Sequence, residues 1–337
     1  MELLGLDAAF EPVRMLQCVN IQWNRRYYEA GEFALQLRAA DWETAIAYLY
    51  TADRPETGMV QKVETEHTVK GDFVNVSGFF LEGMLNWKAV YPRCWGVANV
   101  ADQCRAMVAP AMADAGVTVA AGPALGGSVA FDLLGDQLGD ATYALLQLQE
   151  LSQRIRLQYP DGGLCYEVWQ GLDRCQSQSE NAYAVFSQGF GTVDALTLTR
   201  DTSDYRNVAI AVFVGGAITV DIRASAAEVR RELVVETGLS QADAQSAADF
   251  YAAVDTAARA ELAKYPQLVN LDATVLQQNA LYRREYDLGD KCDVRDDRLQ
   301  LAYEARIIEV NEVWKNNTHQ VSLQFGEKLP VAYRRIG

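Results

Sequence analysis

Histidine is almost absent: His67 and His319 are the only two in 337 residues. Both sit in polar stretches that read as strand ends or turns. No G-x-S-x-G elbow surrounds any serine, and the nearest string, Gly126-Gly127-Ser128-Val129-Ala130, reads as a tight small-residue loop. Phosphate-cradling loops are missing in both common forms, G-x-x-x-x-G-K-[ST] and G-x-G-x-x-G. The six cysteines (Cys18, Cys94, Cys104, Cys165, Cys175, Cys292) are scattered without a C-x-x-C pair, which disfavours a zinc ribbon or a dense disulfide framework. We expect free thiols, no metal and no cofactor. The longest apolar run, Val208–Ile218, is broken by Gly215-Gly216 and falls short of the roughly 20 residues of a membrane helix, so it reads as a buried strand pair. Nothing at the start resembles a secretory signal, and the expected site of synthesis and folding is the cytoplasm. Asn75-Val76-Ser77 and Asn316-Asn317-Thr318 match the glycosylation pattern by chance on that reading.

What is present is a globular composition. Half of the residues are hydrophobic and 22% are charged, with a formal net charge of −15 that argues against adhesion to a nucleic-acid backbone. Val13–Trp23 alternates apolar and polar residues with period two, as does Glu32–Arg38, and the two read as an antiparallel hairpin. Further strands are expected at Ala45–Tyr50, Met59–Thr65 and Asp72–Phe79, separated by Asp53-Arg54-Pro55 and Lys70-Gly71-Asp72 turns, a spacing that suggests a small barrel. From Val97 the period shifts to steps of three and four (Val97, Val100, Ala101, Cys104, Val108), predicting a helix. A second, capped by Asp140, carries Leu145, Leu148, Leu151 and Ile155. Strands resume at Leu164–Gln170, Ala184–Ser187, Ala195–Arg200, Asn207–Val214 and Ala217–Arg223. Ser225 with Glu228, and Ser240 with Asp243, have capping-box spacing and predict two helices, the second running to about Lys264. A meander at Lys291–Val294, Ala302–Glu312 and Thr318–Phe325 closes the chain, with turns at Asp296-Asp297 and Asn316-Asn317.

Two groups invite a functional reading. Asp287, Asp290, Asp293, Asp296 and Asp297 form the densest acidic cluster. Paired carboxylates can hydrolyse glycosides, but the spacing does not match a calcium loop, and a polar turn and strand edge is the plainer account. Trp23, Tyr27 and Tyr28 flank Arg25 and Arg26, which could stack on a sugar or base or pack their aromatic bodies beneath the barrel.

Three strings together carry a family resemblance: Val19-Asn20-Ile21-Gln22-Trp23-Asn24-Arg25-Arg26-Tyr27-Tyr28-Glu29-Ala30-Gly31-Glu32-Phe33-Ala34-Leu35; Val185-Phe186-Ser187 through Gly191, with Asn207 and Val208 opening a strand; and Tyr286-Asp287-Leu288-Gly289-Asp290, followed by Ala305–Glu312 and Phe325-Gly326. In order and spacing the chain resembles the tail-tip hub family of long-tailed bacteriophages, siphovirus tail-associated proteins related to the baseplate hubs of contractile tails. It departs from that pattern at Lys291-Cys292-Asp293 and in the length of its Ala-rich helix.

The resemblance implies an α+β fold with two small β-barrel hub domains and an inserted α/β subdomain, divided here as 1–95, 96–181 and 182–337, the last with a helical insertion near 225–265. It implies a non-enzymatic homotrimer at the virion tail tip, assembled in the host cytoplasm, joining the sixfold tube to a threefold spike or fibre. The distal tail protein ring, the tape-measure protein and the central fibre or spike would be partners, and DNA would pass the lumen without specific binding. Trp23, Arg26, Gly31, Phe33, Asn207, Tyr286, Asp287, Leu288, Gly289, Asp290, Phe325 and Gly326 would be structural motif residues. No segment before Gly337 reads as a wall hydrolase or receptor-binding module, so a hub core alone is expected. The alternatives are a glycan hydrolase using paired carboxylates, or another baseplate or collar protein.

Overall fold

The computed structural model describes residues 1–69, 71–241, 246–296, 298, 300–315 and 318–326. The chain divides into two units. Met1–Thr197 with Asp272–Phe325 forms the first, and the second is centred on Leu198–Leu271.

The first unit opens with β1 (Leu3–Leu6), β2 (Pro12–Leu16), β3 (Cys18–Arg26), β4 (Glu32–Arg38), β5 (Tyr48–Tyr50), β6 (Gly58–Thr68) and β7 (Gly71–Phe80). The predicted strand Val13–Trp23 is thus two strands interrupted at Gln17, and the hairpin that follows is β3–β4, with Trp23 opposite Phe33. On β3, Ile21, Trp23 and Arg25 are buried on one face while Gln22 is exposed on the other, and toward the end of the strand Asn24 is buried as well. Trp23, Phe33 and Phe80 form one aromatic cluster, with the Trp23 ring 5.8 Å from Phe33 and 4.6 Å from Phe80.

Next come β8 (Cys94–Asn99), α1 (Val100–Ala111), β9 (Val117–Val119), β10 (Ser128–Leu133), α2 (Leu138–Gln147), β11 (Ser152–Gln158) and β12 (Gly163–Trp169). The helix boundaries differ from those the periodicity suggested. Val97 belongs to β8, and α1 starts after Asn99, whose Oδ1 accepts the N–H groups of Ala101 (3.1 Å) and Asp102 (3.2 Å). The cap position of α2 is Gln137 rather than Asp140, and Leu151 and Ile155 lie beyond its end, Ile155 on β11. An apolar stripe at steps of three and four cannot separate one long helix from a helix turning into a strand. Leu81 and Leu85 pack with Val100, Cys104, Leu145, Leu151 and Ile155 in a single core.

The chain continues through β13 (Val185–Ser187) and β14 (Val193–Asp201) into the second unit, which holds β15 (Val208–Phe213), β16 (Gly216–Asp221), β17 (Glu232–Glu236) and α3 (Ala247–Leu262). The apolar run Val208–Ile218 is indeed a strand pair, β15 with β16. Ser225 and Glu228 open no helix: Glu228 Oε1 accepts Asn207 Nδ2 (2.9 Å) and Oε2 accepts the Ala224 N–H (3.1 Å), so the carboxylate caps a turn. Asp243 of the other capping box lies outside the described residues, as do Lys70, Asp297, Asn316 and Asn317 of the predicted turns. Phe250, Val254, Ala258 and Leu262 of α3 bury one helical face against Ala209, Ala211 and Val220.

The return is β18 (Leu268–Val275), β19 (Lys291–Asp296), β20 (Leu301–Lys315) and β21 (Thr318–Gly326). A sheet of thirteen strands runs β14-β18-β21-β20-β3-β4-β7-β6-β5-β1-β2, with β13 and β19 paired off this path. Among the described residues no sheet closes into a barrel, which corrects the expectation of two separate barrels. The cause lies in one strand. β3 pairs β4 on one edge and β20 on the other, with Arg25 opposite Val310 and Trp23 opposite Glu312, so both ends of the chain share one open, strand-rich sheet.

Because Trp23 is fully buried at this junction, Trp23→Ala should cost about 3–5 kcal/mol. Chemical denaturation followed by far-ultraviolet circular dichroism would show a large drop in midpoint at unchanged slope.

Candidate functional site

The N-terminal hairpin and the Asp-Leu-Gly-Asp turn meet around one side chain, Arg25 and Asp287 being 262 residues apart in sequence. Arg25, only 2% exposed, follows Trp23 on the buried face of β3. Its guanidinium donates from Nε to Glu56 Oε1 (2.8 Å), from Nη1 to Asp287 Oδ1 (2.5 Å), and from Nη1 to the Tyr282 hydroxyl. Burial works against the cation, but Glu56, Tyr282 and Asp287 raise its pKa well above the ordinary arginine value. Burial likewise opposes the Asp287 carboxylate, and Arg25 with the Leu288 N–H (2.7 Å) holds it below the usual carboxylate range.

Asp290, the second aspartate of the turn, is also fully engaged. Oδ1 accepts the Leu172 N–H (2.8 Å), and Oδ2 accepts Arg174 Nε (2.6 Å) and the Asp287 N–H (3.0 Å). Burial still pushes its pKa up against these donors. Gly289 between them has φ +82°, as a turn glycine should. A Cβ there would lie 2.4 Å from the Tyr27 ring, and one on Gly171 would lie 2.0 Å from the Gly289 carbonyl carbon and oxygen. Arg306 Nη1 donates to that carbonyl (2.5 Å) and its guanidinium sits 5.6 Å from the Tyr27 ring centroid.

A second ion pair lies alongside. Arg54, from the Asp53-Arg54-Pro55 turn, forks onto Glu312 of β20 (2.9 and 2.7 Å), and Glu312 Oε2 is 3.0 Å from His319 Nε2. Against its burial, His319 and Arg54 lower the Glu312 pKa. His319 stacks flat on Trp314 at 4.5 Å. Glu82 is the exception among the buried acids. Its contact is a 3.4 Å bond from the Gly31 N–H, and burial, reinforced by nearby Glu56, raises its pKa to about 8.

The motif residues divide accordingly. Trp23, Phe33 and Gly31 belong to the aromatic cluster. Gly31 is required by space rather than by positive φ, since its Cβ would lie 2.6 Å from both the Phe80 ring and the Asn24 carbonyl. Tyr286 packs edgewise and Phe325 at a tilt on Phe186, with ring centroids 5.0 and 5.1 Å away, which unites the middle and last strings. Leu288 is buried, and Gly326 ends β21 at φ +93°. Asn207 stands apart in the second unit, where its Oδ1 accepts the Arg231 N–H (2.7 Å) and its Nδ2 donates to Glu228 and to the Val229 carbonyl. Arg26, chosen from sequence, is a partly exposed neighbour of Glu29, Glu32 and Glu309, whereas Arg25 is the buried anchor. The odd position of Arg25 in a strand whose odd positions are apolar was the signal for it. Glu56, Tyr282, Glu312 and Arg54 had no comparable signal.

Within the acidic cluster, Asp293 and Asp296 lie on β19. Cys175, Asp293 and Glu304 have ligand atoms within 4.8 Å of one another. The carboxylates already accept the Gln176 N–H (2.9 Å) and Lys291 Nζ (2.9 Å), and burial pushes the Cys175 thiol up to about 12, so the trio is arranged as a hydrogen-bonded crossing. Asp287 and Asp290, the pair a hydrolase would need, are held by Arg25 and Arg174.

Glu82 generates a pH prediction. Its folded pKa, about 8, lies above its ordinary 4.5, so the native state holds a proton that the unfolded state releases across that interval. The stability it contributes is full below pH 4.5 and is lost as the pH rises through about 8. Glu82→Gln should flatten the alkaline decline of the melting temperature between those values, measured by scanning calorimetry.

A family model described as Siphovirus ReqiPepy6 Gp37-like protein matches residues 13–327. The structure is similar to the tail protein from Neisseria meningitidis MC58 (TM-score 0.62, 16% identity, 97% of this chain and 96% of that one). It is also similar to the 43 kDa tail protein of prophage MuSo2 from Shewanella oneidensis (0.64, 13%, 96% and 98%) and to prophage tail protein gp18 from Listeria monocytogenes EGD-e (0.58, 10%, 99% and 97%). No curated protein matches. Among the described residues no helix is long and apolar enough to cross a membrane. The chain belongs to the Siphovirus ReqiPepy6 Gp37-like family, and its fold is that of phage and prophage tail proteins.

Proposed function

We propose that the chain is a structural subunit of the tail tip, three copies forming the hub ring between the sixfold tube and a central spike or fibre. The observation that carries this reading is the use made of the motifs. Strings from three parts of the sequence converge on a locked joint, and the carboxylates that could do chemistry there are each held by an arginine. Such an arrangement suits a load-bearing ring better than a glycan hydrolase. On this reading 1–95 and 182–337 are the hub-forming segments and 96–181 is the insert.

The ring needs adhesive surface, because three chains of −15 repel one another. The β8–β10 ribbon supplies it: Trp95 and Val97 alternate on its outer side at 74% and 73% exposure, with Tyr91 and Leu134 also exposed nearby. The open face of the large sheet suits the lumen. Asn20, Gln36 and Asn75 bond to one another across β3, β4 and β7 (3.3 and 3.2 Å), a carboxamide row that offers phosphates little charge to release counterions against. The distal tail protein ring and the tape-measure protein would be the neighbours along the axis.

Electron cryo-microscopy of intact tails should find three copies at the tip, with that row facing the axis. Six copies, one copy, or a tip without this chain would overturn the reading. Trp95→Ser with Val97→Ser should leave the monomer folded and abolish its incorporation into tails.

A further inference from the structure

A cavity of about 270 Å³ opens beside the Asp-Leu-Gly-Asp turn, walled by Trp169, Leu172 and Leu288. Arg283 and Arg284 stand at its lining, and neither donates a side-chain hydrogen bond to the joint described above. Arg283 Nε makes only a long ion pair with Asp287 Oδ2 (3.9 Å), beyond hydrogen-bond distance, and the Arg284 guanidinium has no hydrogen bond or ion pair among the described residues. The acids near them are committed elsewhere. Asp287 is bonded to Arg25, Asp290 to Arg174, and Glu285 Oε2 accepts the Leu281 N–H (2.8 Å). The cleft therefore carries surplus positive charge on a chain whose net charge is −15.

The backbone holds these arginines in place at a cost. Arg283 has φ +63°, a left-handed conformation unfavourable for a long side chain, fixed by its N–H on the Tyr286 carbonyl (2.8 Å) and by the Arg284 N–H on the Leu281 carbonyl (3.2 Å). A guanidinium pair at a small cleft suits a planar acceptor that takes two parallel hydrogen bonds. The flanking Trp169 and half-exposed Leu172 suit an aliphatic stem entering with it. A nucleic-acid backbone would instead be tracked by a stripe of cations meeting successive phosphates, and the cleft offers one pair.

We propose that this cleft binds a carboxylate presented by another polypeptide, either an acidic side chain or a chain terminus. The site stands on its own geometry and does not depend on the ring or its stoichiometry.

The full chain would be titrated calorimetrically with three glycine-based peptides: one end-capped and carrying two glutamates, one end-capped and carrying two glutamines, and one of glycine alone with a free C-terminal carboxylate. Inorganic phosphate and oligothymidylate serve as further probes. Binding of the glutamate peptide identifies a side-chain carboxylate, and binding of the free-ended peptide alone identifies a chain terminus. Either should weaken with added salt, and should fall by about tenfold or more in Arg284→Gln and in Arg283→Gly. The glycine variant relieves the left-handed strain while removing the charge, so its melting temperature should match or exceed the parent's and separates lost binding from lost folding. The proposal is overturned if no carboxylate peptide binds, if the glutamine peptide binds equally, if phosphate or oligothymidylate binds more tightly, or if both variants bind like the parent.

Discussion

The joint between the two ends of the first unit is arranged around the burial of one guanidinium. Moving a cation out of water costs several kcal/mol even after the protein relaxes, and only well-placed partners offset it. Arg25 draws those partners from the loop before β6 and from the segment before β19, so its charge is satisfied when three distant stretches are together. Apolar packing would not discriminate among registers so sharply. A slip of one residue would turn Arg25 to the opposite face of the strand, leaving Glu56 and Asp287 unpaired. The Arg54–Glu312 pair repeats the device one strand away, tying the turn after β5 to β20.

Strand-level structure was largely legible because period two is local: β3, β4, β7, β15, β20 and β21 fall where alternation placed them. Helix ends were less so. Leu145 and Leu148 are spaced as in a helix, but Leu151 and Ile155 continue the stripe only because the following strand buries its residues in the same core. The capping box at Ser225 failed because Glu228 found a better partner in Asn207, a tertiary contact no local rule contains. The separate barrels failed for a related reason. Alternation tells which face of a strand is buried but not which strand lies beside it, and the β3–β20 pairing spans nearly the whole chain. At the joint, Gly289 and both aspartates of its turn could be chosen from sequence because turn chemistry demands them. Arg25 differs from Arg26 in the sequence only by its odd position, in line with Ile21 and Trp23, and its partners lie in segments that no local pattern connects to it.

Electrostatics then separates what is structural from what remains available. The buried acids are paired with arginines, apart from Glu82, which keeps its proton to about pH 8 in place of a cation. Those pairings account for the motif's carboxylates, and they leave Arg284 without a carboxylate partner among the described residues and Arg283 with only a 3.9 Å ion pair to Asp287. The second unit has its own core, in which α3 covers β15 and β16, and its own polar clasp at Asn207.

The central claim is that the Arg25 guanidinium, rather than positive charge in general, holds the two ends of the first unit together. Hydrogen exchange read by mass spectrometry on Arg25→Lys and Arg26→Lys, side by side, tests it most directly. A lysine at 25 keeps the charge but cannot reach Glu56, Tyr282 and Asp287 at once. Faster exchange at Asp287–Lys291 and along β20 in Arg25→Lys, with parent-like exchange in Arg26→Lys, is the predicted result. Parent-like protection of those segments in Arg25→Lys would contradict it.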